Sequence, residues 1–366
     1  MRHLHTHIKR IRPLDQMAMG LASIRQSQLA KPPASMGMLE DLAVQMAGIS
    51  GKVENRIQQR RVIVLCADHG VTAEGISMAP RSVTAAQAVN MTRGGTGMSA
   101  LARHFGAEVQ VVDVGIASEY SCPEILNRRI MRGTHNFAVQ PAMTRESAVE
   151  AILTGIELAE LARDDGMDII GVGEMGIGNS TSASAVLAAL TRTPADLVLG
   201  CSREVSGAAL SKRERTIRRA LERCRLDPND PIDILAKVGG LDLAAMCGVY
   251  LGAAEHRLPV VIDGFVSAVA ALCAARLCPT AVKYMFPSHA AEEPGYHVAA
   301  EQLGIDPCLD LHMRLGEGAG CVLAFEIIAA ACAAMCGMAT FEEASIDDSY
   351  LDDVREDSRF VYSLEA

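Results

Sequence analysis

The chain has no tryptophan in its 366 residues, and aromatic residues make up only 4% of it. Basic charge is in deficit, with a net charge of −10. A chain of this balance offers no basic footprint for nucleic acid and no polybasic patch for a membrane surface. The acid excess is concentrated at the end, where residues 341–366 hold nine acidic and two basic residues. No Cys-x-x-Cys pair occurs among the eleven cysteines, and their number is odd. That argues against a disulfide framework or a zinc site. Cys66, Cys247, Cys273 and Cys332 sit in apolar runs, as reduced cysteines acting as small hydrophobes do. Met1–Pro13 is rich in His and Arg and lacks the apolar stretch of a secretory signal. Long uninterrupted apolar runs are also missing: Asp263 interrupts Leu258–Cys278 and Glu326 interrupts Cys321–Cys336. Both runs read as buried core, not as membrane spans, and the cytosol is the expected compartment.

What is abundant is small and apolar. Hydrophobic residues make up 49% of the chain and glycine contributes 31 residues, enough to bury a large core. Residues 61–67 form a continuous apolar run that ends in Asp68-His69-Gly70. Residues 108–115, 167–172 and 258–264 repeat the pattern of a β-rich run closed by polar residues or glycine. Ala-rich helical stretches lie between them, at 84–104, 146–164 and 181–191. Strands buried on both faces and alternating with helices predict an α/β domain, with a Rossmann-like parallel sheet covered by helices on both faces. The expected division is a helical segment 1–55, the α/β domain 56–315, a C-terminal helix 316–340 that completes a small helical domain with the first segment, and the acidic tail 341–366. In such sheets ligands bind beyond the carboxyl ends of the strands. Here those ends carry Asp68, Asp113, Glu174 and Asp263.

Several segments carry candidate chemistry. Residues 171–182, Gly-Val-Gly-Glu-Met-Gly-Ile-Gly-Asn-Ser-Thr-Ser, follow a predicted strand and open a helix. Such a loop brings backbone N–H groups and a helix N-terminus to an anion, or else is a tight turn with a Ser/Thr cap. It is not a Walker loop, because no Gly-Lys-Ser/Thr is present. Arg314-Leu315-Gly316-Glu317-Gly318 places a carboxylate between two glycines. Glu317 is there either as a poorly hydrated general base or as the cap of the following helix or the partner of Arg314. His69 reads as catalytic or as a structural strand-end histidine. Asp263 reads either as the plain end of its strand, in a segment used for helix packing, or as a partner for a ribose hydroxyl.

In this order the segments resemble the nicotinate-nucleotide:dimethylbenzimidazole phosphoribosyltransferase family of cobamide biosynthesis. Lys31-Pro32-Pro33-Ala34-Ser35-Met36-Gly37, Ala67-Asp68-His69-Gly70-Val71, Glu174-Met175-Gly176-Ile177-Gly178-Asn179 and Arg314-Leu315-Gly316-Glu317-Gly318 carry the resemblance. It implies that an acceptor nitrogen attacks C1′ of nicotinate mononucleotide, releasing nicotinate and forming an α-ribotide. It further implies Glu317 as base and Glu174 as a second catalytic carboxylate. Gly176, Ile177, Gly178, Asn179, Ser180 and Thr181, with Gly207 and Asp263, would hold the nucleotide. Ala79, Val83, Gln87, Met175 and Leu315 would line the acceptor slot. Neither metal nor cofactor is expected, and a homodimer is.

The sequence departs from the family pattern at three places. Residues 200–207 read Gly-Cys-Ser-Arg-Glu-Val-Ser-Gly where the family has Gly-Arg-Gly-Thr-Gly, Ala291 and Tyr296 replace Ser and His, and Asp242 replaces Glu. These departures motivate two rival expectations. One is a subunit that uses phenol or p-cresol as acceptor. The other is a non-catalytic chain forming a heterodimer with an active paralogue.

Overall fold

The computed structural model describes residues 2–199 and 207–351. The expected nucleotide-holding segment 200–206, and the tail from 352 onward, lie outside the described residues. The chain divides into two compact units. One comprises Met1–Arg12 and Gln59–Ala324; the other comprises Pro13–Gln58 and the chain from Phe325 on. These boundaries differ from the expected 55/56 and 315/316. The first helix, Arg2–Arg10, belongs with the sheet, because His7 and Arg10 both reach the carboxylate of Glu255, at 2.7 and 3.3 Å.

The first unit is built on six parallel strands: β1 Arg60–Ala67, β2 Glu108–Gly115, β3 Leu126–Asn127, β4 Ile169–Met175, β5 Val260–Ile262 and β6 Met285–Pro287. Their spatial order is β3-β2-β1-β4-β5-β6. Every residue of β1 after Arg60 is buried, as its unbroken Val/Ile/Leu run requires of a central strand. The chain winds outward from β1 to β3, then returns to start β4 on the other side of β1. Right-handed crossovers in a sheet that reverses in this way carry helices to both faces. The short strands β3 and β6 have no sequence signal, since two or three residues show no period. The expected helix at 84–104 is two helices, Ser82–Thr92 and Gly97–Phe105. Gly94 has φ +74°, and Thr96 and Ser99 form a capping box that starts the second helix.

Helix Leu241–Glu255 is apolar around its whole circumference and is buried along nearly its full length, as such a helix must be. It packs on helix Arg145–Asp164 through glycines. A Cβ at Gly248 would lie 1.9 Å from the carbonyl oxygen of Ile152, and a Cβ at Gly155 would lie 1.9 Å from that of Ala245. The backbones therefore touch directly, and helix Leu241–Glu255 in turn packs on β1, β2 and β4.

The second unit contains helices Gln16–Gln28 and Met38–Ser50 and the latter part of helix Ala319–Gly337. Arg25 Nε donates to the Met335 carbonyl at 3.0 Å, and Ala30 and Phe341 bond across the two chain segments. The Lys31-Pro32-Pro33 segment is anchored by a buried ion pair, Lys31 Nζ to Glu40 Oε1 at 2.7 Å.

Gly248→Ala is expected to lower stability by about 1–3 kcal/mol through overpacking. A reduced denaturant midpoint with an unchanged far-ultraviolet circular dichroism spectrum would be the result. An unchanged midpoint would show that the two helices have room to separate.

Candidate active site

β1 and β4 lie side by side, with Cys66 opposite Met175, at the point where the strand order reverses. The two strand ends deliver Asp68-His69 and Glu174–Gly178 to one place, the position where ligands bind in open parallel sheets. Gly173 allows a third segment to join them. A Cβ there would lie 2.4 Å from the carbonyl oxygen of Glu317, so only glycine lets the 316–320 loop rest on β4.

That loop is unusual in its backbone. Gly316, Glu317 and Gly318 have φ of +76°, +62° and +88°. A non-glycine residue in the left-handed region is disfavoured by about 1–2 kcal/mol and needs its surroundings to hold it. Asp263 does so. Its Oδ2 accepts from the Gly318 N–H at 2.9 Å and its Oδ1 from the Gly320 N–H at 2.7 Å. Asp263 thus fills the role of cap for helix Ala319–Gly337. Arg314 reaches Glu292 at 2.9 Å. Both bland uses of Glu317, helix cap and Arg314 partner, are taken by other residues.

Glu317 is only 6% exposed, and among the described residues its Oε2 has no hydrogen-bond partner. Burial raises its pKa; the Thr96 hydroxyl and the Met98 N–H, at the start of helix Gly97–Phe105, oppose that rise. Glu174 stands beside it, since a Cβ at Gly316 would lie 2.4 Å from Glu174 Oε1. Asn179 Nδ2 donates to the other oxygen, Oε2. Burial, then the charges of Asp242, Asp263 and Glu317, push Glu174 up to about 8 despite that bond. Asp263 is pushed up to about 7 by burial, against the pull of the Gly318, Gly320 and Gly264 N–H groups. At neutral pH Glu174 is therefore mainly protonated.

The expected nucleotide residues play unequal parts. The Ile177 N–H donates to Thr84 Oγ1 at 3.1 Å and is not available to a phosphate. The Asn179 side chain holds Glu174, and the Asn179 and Thr181 N–H groups turn back to Gly176 and Gly178. The N–H groups of Gly178 and Ser180 donate to no protein group among the described residues. They stand at the N-terminus of helix Asn179–Thr191, where an anion is favoured. Thr181 is buried, and among the described residues its hydroxyl has no partner. Asp263, expected at a ribose hydroxyl, is 1% exposed with both oxygens bonded to the loop. It shapes the site from behind. Gly207 opens helix Gly207–Arg223.

His69 is fully buried. Nδ1 is 2.7 Å from Ser182 Oγ and Nε2 is 3.0 Å from Asp242 Oδ2. It ties the end of β1 to two helices, which is the structural reading. The acceptor residues lie on several elements. Val83 and Gln87, one turn apart on helix Ser82–Thr92, are half-buried, as is Met175. Leu315 is exposed near Gly97. Ala79 lines a cleft of about 360 Å³ with Thr72, Ser77 and Arg81. Thr72 adjoins Gly178, where a Cβ would lie 2.8 Å from Thr72 Cγ2. Sequence reasoning missed Thr96 and Met98; the Gly94-Gly95-Thr96-Gly97 break was the available signal. It also missed Thr84, which nothing local distinguishes. Among the described residues, no group of three or more His, Cys, Asp or Glu side chains is placed to hold a metal ion.

A doubly wound sheet with paired acids and an anion-ready helix start fits a class of enzyme that handles phosphorylated sugars. The profile of a phosphoribosyltransferase family matches residues 11–346. Relatives named nicotinate-nucleotide–dimethylbenzimidazole phosphoribosyltransferase include one from Clostridium perfringens, 45% identical over 98% of this chain and 99% of its own length. Another, from Desulforudis audaxviator, is 47% identical over 94% of this chain and 98% of its own length. A crystal structure bearing the same enzyme name, from Thermus thermophilus, superimposes with a TM-score of 0.86 at 39% identity, covering 91% of this chain and 99% of that one. The chain belongs to the nicotinate-nucleotide–dimethylbenzimidazole phosphoribosyltransferase family.

Asp263→Asn presents one acceptor and one donor to two N–H groups, so either Gly318 or Gly320 loses its acceptor. Stability is expected to fall by about 1–3 kcal/mol. Amide exchange at the start of helix Ala319–Gly337 should accelerate with it. Unchanged melting and exchange would contradict the anchoring role.

Proposed function

We propose that this protein transfers ribose 5-phosphate from nicotinate mononucleotide to 5,6-dimethylbenzimidazole or a similar base. The products are the α-ribotide, α-ribazole phosphate for dimethylbenzimidazole, and nicotinate. Membership of the family supports the substrates. The observation that carries the chemistry is Glu317 Oε2, a buried carboxylate oxygen with no hydrogen-bond partner among the described residues. A buried acceptor without a donor is costly, and an acceptor N–H would satisfy it.

The acceptor nitrogen lone pair forms a bond to C1′ as the C1′–N bond of nicotinate breaks. The bonding pair stays on the pyridine nitrogen and neutralises its positive charge. The acceptor's N–H proton passes to Glu317. Glu174, protonated at neutral pH, keeps the carboxylate pair to one negative charge, so that the charge resides on the base. Free N–H groups at Gly178 and Ser180 receive the 5′-phosphate. Val83, Gln87, Met175, Leu315 and Ala79 enclose the aromatic acceptor. Asp263 positions the base loop. The reaction draws on no cofactor or metal, since the leaving group is already activated.

The cytoplasm is the proposed compartment and a homodimer the proposed assembly. Ten cysteines among the described residues are free thiols, which suits a reducing compartment. Among the described residues one helix, Ala319–Gly337, is long and apolar enough to cross a membrane, and more than half of the qualifying stretch is buried.

Glu317→Gln is expected to lower kcat by about 10²–10⁴-fold while calorimetric affinity for nicotinate mononucleotide is largely retained. Near-normal turnover would refute Glu317 as the base. Glu174 should impose a second limit. Turnover is expected to fall as the pH rises through about 8, where Glu174 ionises beside Glu317. Glu174→Gln, which is neutral at every pH, should remove that alkaline limb. A limb that persists in the variant would assign it to another group.

A further inference from the structure

Asp68 directly follows β1 and is fully buried. Its Oδ2 accepts from the Ala117 N–H at 2.8 Å, and its Oδ1 accepts from the Thr84 hydroxyl at 2.8 Å. Thr84, also fully buried, in turn accepts from the Ile177 N–H at 3.1 Å. The direction of this chain is determined by the groups themselves. A backbone N–H only donates, so the Thr84 oxygen must receive from Ile177. Its single proton then goes to Asp68. β-Branching holds the Thr84 side chain in few rotamers, so the hydroxyl is a stiff joint.

The two elements joined are the two walls of the proposed site. Thr84 belongs to helix Ser82–Thr92, which presents Val83 and Gln87 to the acceptor. Ile177 belongs to the loop that presents Gly178 and Ser180 to the phosphate. We infer that Thr84, locked by Asp68, is a positioning residue that sets the distance between the acceptor wall and the phosphate loop. This rests on the phosphoribosyl-transfer reading for its kinetic consequence. The physical link stands without it.

Thr84→Val keeps the shape and removes the hydroxyl. It leaves the Ile177 N–H and one Asp68 oxygen unpaired. The KM for nicotinate mononucleotide and the KM for dimethylbenzimidazole should each rise by about tenfold, the effect of losing one buried hydrogen bond. A merely structural loss would instead reduce the active fraction, lowering kcat at constant KM. Thr84→Ser keeps the hydroxyl and should restore both constants. In the absence of substrates, amide exchange at Ile177 and along 176–180 should accelerate in Thr84→Val and return toward the wild-type rate in Thr84→Ser. Both KM values unchanged in a folded Thr84→Val enzyme would overturn the proposal. Unchanged exchange at Ile177 would overturn it independently of any activity. Wild-type protein without transferase activity, but with the exchange difference present, would refute the reaction and leave the link standing.

Discussion

The bidentate grip of Asp263 on the 316–320 loop is the constraint on which the site depends. One carboxylate at the end of β5 receives the N–H groups of Gly318 and Gly320. It thereby starts helix Ala319–Gly337 and holds three successive residues at positive φ. A hydrogen bond of this kind contributes about 0.5–1.5 kcal/mol, and a buried N–H left without its acceptor costs more. Two of them offset the strain of placing Glu317 in the left-handed region. Because Asp263 caps the helix, Glu317 is released from that duty, and among the described residues its Oε2 has no hydrogen-bond partner.

The same region gathers an excess of negative charge. Burial and the charges of Asp242, Asp263 and Glu317 all bear on the ionisation of Glu174. The site tolerates this crowding by dividing tasks. Asp242 faces His69, Asp263 faces backbone N–H groups, and Glu174 retains a proton that Asn179 helps to orient. Glu317 remains as the carboxylate with an oxygen to spare. A neutral Glu174 also lessens the repulsion that a phosphate would meet at the nearby helix N-terminus, whose donors are uncharged.

The long strands were legible in the sequence because a strand buried on both faces leaves a continuous apolar run, as 61–67 does. β3 and β6 were not, because pairing at a sheet edge needs too few residues to make a pattern. The base loop was legible as a motif, Gly316-Glu317-Gly318, but its alternatives were not separable locally. What separated them is Asp263, more than fifty positions away in the chain. Ile177 illustrates the converse. A glycine-rich loop before a helix suggests that each of its N–H groups is available, yet Thr84 had already taken one from a distant helix. Spacing along the chain reports which groups can face a ligand. Only the packed structure reports which are already bonded.

A single displacement at C1′, assisted by one base, is tested most directly by the stereochemistry of its product. The protein would be incubated with nicotinate mononucleotide, a β-glycoside, and dimethylbenzimidazole, and the anomeric proton of the new ribotide followed by nuclear magnetic resonance. One displacement predicts the α-anomer alone, formed in step with free nicotinate. A β-configured ribotide, or a mixture of anomers from the first turnovers, would contradict it.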